Sequence, residues 1–73
     1  NLEVFLQMAE GVDDETWRFH LESGDIARWF RENIKDAELA EAAEVVQKTQ
    51  GLAAADSRGE IREAIEKRYT APA

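Results

Sequence analysis

His20 is the only histidine in the chain, so any nucleophilic triad or imidazole metal site has to be built on it. Triad chemistry needs a hydroxyl or thiol beside the imidazole. The chain has no cysteine, and Ser23 and Ser57 both fall where helices are expected to begin or end. His20 lies one turn after Trp17 and next to Leu21, at the edge of an apolar face. A packing or hydrogen-bonding histidine, its neutral ring donating to a nearby carbonyl, is the simpler expectation.

The carboxylates invite a metal or acid–base reading. Asp13-Asp14-Glu15 is the densest cluster, but it lacks the alternating ligand spacing and central glycine of a calcium loop. Its place at a helix start accounts for the charge. Glu38, Glu41 and Glu44 repeat along a solvated helix face. Arg28, Arg31 and Lys35 form one basic stripe, each about a turn apart. That stripe can receive a partner's carboxylate or phosphate, although pairing with nearby glutamates is the plainer role. The four glycines stand singly, which leaves no glycine-rich loop to cradle a phosphate. No catalytic residue, metal site or cofactor is expected, and no autonomous catalysis.

Sixteen acids against nine bases give a formal charge of −7. Neutralising phosphate requires a basic surface, so nucleic acid is not an expected partner, and an anionic membrane repels the chain for the same reason. No apolar run approaches the roughly 18 residues of a membrane span, and no signal-peptide pattern is visible. A cytoplasmic location is therefore expected. Leu2, Phe5 and Leu6 are already in helical register beside Asn1, which suggests a single helical domain, residues 1–73, cut from a longer chain. A core of this size yields only about 3–5 kcal/mol of net stability.

The elements that position these residues follow from period and punctuation. Leu2, Phe5, Leu6 and Met8 suggest a short first helix with Gly11 as its stop. Asp13 or Asp14 caps a second helix carrying Trp17, His20 and Leu21, with Phe19 on a flanking face. Gly24 ends it in a left-handed conformation, and Asp25 is expected to cap the third, whose inner face is Ile26, Trp29, Phe30 and Ile34. Asp36 caps a fourth helix with Leu39, Ala42, Ala43 and Val46 inside, and Gly51 ends it. Residues 52–56 fit either a helix or a compact loop. Ser57 and Glu60 have capping-box spacing for a last helix lined by Ile61, Ala64, Ile65 and Tyr69. Period-two alternation is absent, so the expected fold is all-α: a compact bundle of four to five short helices.

The string Asp25-Ile26-Ala27-Arg28-Trp29-Phe30-Arg31, with His20 before it and Ile34 and Asp36-Ala37-Glu38-Leu39-Ala40 after it, resembles a family of small prokaryotic helical domains of unassigned function. The resemblance covers half to two thirds of the chain and carries little beyond Ala42. Members of that family stand alone or are attached to larger enzymes, including haloacid-dehalogenase-like phosphatases. It implies an accessory module and transfers no catalytic residue.

The expected function is a non-catalytic interaction module that binds a protein partner or a neighbouring domain of its parent chain. Trp29 would be the anchor, Arg28 and Arg31 would orient an acidic partner, and His20 would flank them. A second reading is a small-molecule or anion site between the second and third helices, using His20, Arg28 and Arg31. A third is an engineered scaffold whose surface was altered to bind a chosen target. The sequence leaves the oligomeric state open.

Overall fold

Every helix end strands backbone donors or acceptors that must find partners, and several ends among the described residues are closed by the side chains of Asp13, Asp36, Thr49 and Arg58. The computed structural model describes residues 2–69. Their elements are α1 (Leu2–Gly11), α2 (Asp14–Glu22), α3 (Asp25–Trp29), a wider π-helical turn (Phe30–Ile34) that continues α3, α4 (Ala37–Lys48) and α5 (Ala54–Tyr69). The protein is an all-α bundle, with no strand among the described residues.

Asp13 starts α2, its carboxylate accepting from the Thr16 amide at 3.0 Å and the Thr16 hydroxyl at 2.7 Å. Gly24 ends α2 with φ +84°, a left-handed conformation that costs a β-carbon-bearing residue about 1–2 kcal/mol. The next helix begins at once, so Gly24 itself is the N-cap of α3 and Asp25 its first helical residue. Asp25 does not cap, contrary to the spacing; its side chain turns to His20 and Arg28 instead.

The apolar period suggests ordinary α-helix through Ile34. The structure widens the last turn, and the Phe30 carbonyl collects the amides of both Lys35 and Asp36. Lys35 takes the left-handed conformation there (φ 62°) without being glycine. Thr49, not Gly51, closes α4, its hydroxyl donating to the Val45 carbonyl at 2.7 Å.

The centre of the bundle is α4, packed against α3, the π-turn, α5 and α2. Phe30, Leu39, Ala40, Ala43, Ile61 and Ile65 form its innermost core. Alanines at 40 and 43 let neighbouring backbones approach, which a chain this small needs to reach interior density. A radius of gyration of 11.4 Å matches the ~11 Å of a well-packed chain of this length.

Over that core lies α1. Phe5 stacks on Trp29 at 5.3 Å, meets Phe30 edge-on at 5.2 Å and leans on Trp17 at 6.3 Å. The inner face of α1 is Phe5 and Ala9, flanked by Leu2 and Leu6. Met8 is exposed, contrary to its expected place inside. At about 100° per residue it points roughly 110° away from the mean direction of the other four. Gly11 stays right-handed. What closes α1 is Arg58 from α5, donating to the Ala9 carbonyl at 2.8 Å, the Val12 carbonyl at 2.6 Å and Asp14 at 2.6 Å.

Ser57 is no capping-box residue. Its amide donates to the Ala53 carbonyl, so α5 starts a turn earlier than its spacing suggests and Ser57 is buried inside the helix. Its hydroxyl donates to the Ala54 carbonyl and accepts from Trp17 Nε1, both at 2.8 Å. Trp17 is 3% exposed, so its indole N–H has no recourse to water. Ser57→Ala should therefore destabilise the fold by about 1–3 kcal/mol, the cost of a stranded buried donor. Urea melts of Ser57→Ala, Trp17→Phe and the double variant check this: the double variant should cost less than the two single costs summed.

The far end of α5 is latched to the start of α4. Asp36 is 7% exposed and caps α4 through the Leu39 amide at 3.0 Å. Its other oxygen accepts from Tyr69 Oη at 2.5 Å and Arg68 Nε at 2.7 Å, while Arg68 Nη1 reaches Glu38 at 2.7 Å. Tyr69, expected inside, is half exposed and contributes its hydroxyl rather than its ring. The Tyr69 hydrogen bond, with the Leu39 amide and Arg68 behind it, outweighs desolvation and lowers the Asp36 pKa from 3.8 to about 2. A depressed carboxylate pKa contributes stability that is complete above the unfolded value and is lost as pH falls through the folded one. The urea midpoint should thus drop as pH falls from about 4 to about 2, and less steeply in Asp36→Asn.

Candidate functional site

His20, Asp25 and Trp29 meet at one groove. α1 contributes Val4 and Met8, α2 contributes Trp17 and His20, and α3 contributes Ile26 and Trp29, around a space of about 510 Å³. Buried Phe5 and Trp17 form its floor, and its polar groups are Thr16, His20 and Asp25. Val4 (58% exposed) and Met8 (56%) stand at its rim, and Phe19 (64%) extends the apolar surface past His20, meeting that ring edge-on at 5.3 Å. Large exposed apolar groups that adjoin a groove mark a binding surface far more often than scattered ones do.

His20 sits over this groove because α2 and α3 meet at the two-residue joint Ser23–Gly24. The joint brings Asp25, five residues on, back to the imidazole. His20 Nδ1 and Asp25 Oδ2 are 3.0 Å apart. An ionised carboxylate only accepts, so the proton of a neutral ring sits on Nδ1 and Nε2 carries a lone pair. The bond from His20, assisted by Ser23 and Arg28, lowers the Asp25 pKa.

A histidine oriented by an aspartate is half of a nucleophile-activating arrangement. The other half is not assembled: the Thr16 hydroxyl donates to Asp13 at 2.7 Å and the Ser23 hydroxyl to the His20 carbonyl at 3.4 Å. Neither engages the imidazole. Among the described residues, no three His, Asp or Glu side chains are placed to hold a metal ion. What the groove offers is apolar contact with a hydrogen-bonding edge.

The four residues singled out from the sequence are only partly brought together. Trp29 lies half-buried in the groove wall and His20 at its edge. Arg28 is tied to Asp25 at 2.5 Å and Arg31 to Glu44 on α4 at 3.3 Å, and neither lines the groove. Two of the three cations of the basic stripe, Arg28 and Arg31, are thus ion-paired within the fold. Val4 and Met8 are the groove residues that sequence reading missed. The signal was Ala9, a small apolar residue that shifts the inner face of α1 and turns Met8 outward.

A second groove of about 620 Å³ runs between α4 and α5 over Ala42, Val45, Val46 and Ala64. Its rim is charged, with Arg68 on Glu38 and Lys67 on Glu63. No helix among the described residues is long and apolar enough to cross a membrane. Comparisons with protein-family models, curated proteins and solved structures returned no match to this chain.

The His20–Asp25 bond is open to direct test. The Asp25 carboxyl should titrate below the ordinary 3.8 and return toward it in His20→Ala, as followed by side-chain carbon shifts against pH. A titration unchanged by His20→Ala would show that the imidazole does not hold the carboxylate.

Proposed function

We propose that this domain is a non-catalytic interaction module that docks a protein partner, or a neighbouring domain of its own parent chain, in the α1–α2–α3 groove. The observation that carries the reading is the exposed apolar rim of Val4 and Met8 beside half-buried Trp29, with exposed Phe19 next to His20. Interface energy concentrates in aromatic and methionine-rich centres that exclude water on contact. Trp29 suits an anchor because its ring is already held against Phe5, so binding costs little further side-chain freedom. Methionine at the rim adapts to an irregular partner surface.

The resemblance to small prokaryotic helical modules agrees with an accessory role, and attachment to a phosphatase-like enzyme would make the partner an adjoining domain. Since Arg28 and Arg31 are satisfied internally, the proposed affinity comes from apolar burial rather than from those arginines.

Met8→Asp tests this reading, because Met8 is exposed and the change should alter stability by no more than about 0.5 kcal/mol. Partners captured by the wild-type domain but not by Met8→Asp would be purified and titrated by NMR. Shifts should cluster at Val4, Met8, Phe19 and Trp29, and the variant should bind about 2 kcal/mol or more weaker. Shifts confined to the α4–α5 groove would move the interface elsewhere.

A further inference from the structure

On Thr16, His20 and Asp25, the polar side chains at the groove's edge, the remaining open grip is mainly that of acceptors. The Asp25 oxygens, which already accept from His20 and Arg28, each keep a further lone pair, and a neutral His20 ring offers the Nε2 lone pair left by its bond to Asp25. Thr16 has already given its hydroxyl proton to Asp13. A group entering beside the apolar floor therefore meets acceptors and finds no unspent donor on these three side chains.

The charge around the groove has the same sense. From Leu2 to Glu22 the chain carries six acids (Glu3, Glu10, Asp13, Asp14, Glu15 and Glu22) against Arg18. Arg62 pairs with Glu10, Arg58 with Asp14 and Arg18 with Glu22. Among the described residues, no lysine or arginine is ion-paired with Glu3, Asp13 or Glu15. The two helices that supply Val4, Met8, Trp17 and His20 thus present an uncompensated negative field beside an apolar groove.

From this we infer that the groove's partner is a cationic amphipathic segment, with apolar side chains seated on Trp29 and Met8 and a flanking lysine or arginine donating to the His20–Asp25 edge. The inference rests on the docking role proposed above and reverses the acidic partner that Arg28 and Arg31 suggest from sequence. Lysine and arginine suit the place because their methylene stems cover apolar surface while the charged head reaches the acceptors. A second copy of the chain fits poorly, because each copy brings the same excess of acid and like charges oppose association.

The test uses three synthetic amphipathic helical peptides that share one leucine stripe at i, i+3, i+4 and i+7 and differ only in a lysine, glutamine or glutamate polar face. Each is titrated into the intact domain and followed by the Trp29 indole signal and amide shifts. The lysine peptide should bind at least about tenfold more tightly than the glutamate peptide at low salt, with the gap collapsing near 1 M salt, where the screening length is ~3 Å. Glu3→Lys with Glu15→Lys should narrow the gap while leaving the glutamine peptide's affinity within about twofold, and Asp25→Asn should weaken the lysine peptide more than the glutamate peptide. Equal binding of all three peptides would overturn the cationic partner and leave the docking groove standing. Tighter binding of the glutamate peptide would overturn it in the other direction. No shift with any peptide would overturn both this inference and the docking role. Concentration-dependent broadening of the same signals without peptide would assign the groove to a second copy and overturn the cationic segment.

Discussion

The fold depends on the ring of Phe5. It is the one side chain of α1 that reaches Trp17 on α2, Trp29 on α3 and Phe30 at the head of the π-turn. A domain this short has little apolar area to spend, and aromatic side chains concentrate it, each burying about 150–250 Å² with an added preference for edge-on and offset contact. Phe5 thereby converts α1 from a peripheral helix into a lid on the core. The same contact makes the groove: with Phe5 drawn inward, Val4 and Met8, one turn apart, are carried together to the rim. Stability and the groove are two consequences of one ring's position.

Around that hydrophobic centre, polar groups are satisfied across long sequence distances. Arg58 closes the end of α1 from forty-nine residues away, Ser57 answers the Trp17 indole, and Asp36 gathers Leu39, Arg68 and Tyr69. No buried side-chain nitrogen or oxygen among the described residues is left without a partner. These contacts matter because a buried unpaired polar group costs more than its hydrogen bond contributes. They also divide the molecule into two kinds of charge. Arg31 of the π-turn and Arg58, Arg62 and Arg68 of α5 are consumed in holding elements together, whereas Glu3, Asp13 and Glu15 are exposed and make no ion pair with a lysine or arginine among the described residues. An acidic chain that spends its bases internally acquires a directional field from an otherwise ordinary composition.

The His20–Asp25 pair is a chemical motif that the fold assembles with the neighbouring Thr16 and Ser23 hydroxyls bonded elsewhere. The short α2–α3 joint imposes it: once Gly24 turns the chain, the residue after it returns to the last turn of the preceding helix. Arg28 balances the carboxylate from the other side, and the nearby hydroxyls are turned to other acceptors. The pair places an imidazole edge at an apolar groove.

Much of the architecture is legible in local residues. The all-α class, the Gly24 corner, the Asp13 and Asp36 caps and the inward set Phe5, Trp17, Leu21, Ile26, Phe30, Leu39, Ala43, Val46, Ile61 and Ile65 all follow from short-range periodicity and capping chemistry. Those signals act within a turn or two of chain, so spacing alone exposes them. The roles that needed the tertiary structure are those whose partner lies far off in sequence. Ser57 has the spacing of a capping residue, yet the buried Trp17 indole, forty residues earlier, claims its hydroxyl. Tyr69 has the spacing of a core residue, yet Asp36 holds it by its hydroxyl. Met8 joins an apolar run, and only the direction in which Phe5 packs turns it out to the rim. Arg28 and Arg31 read as a basic stripe until Asp25 and Glu44 neutralise them. Local chemistry decided where helices begin and which faces are apolar; the packing of those faces decided which side chains remained available at the surface, because availability is what is left after every distant partner has been found.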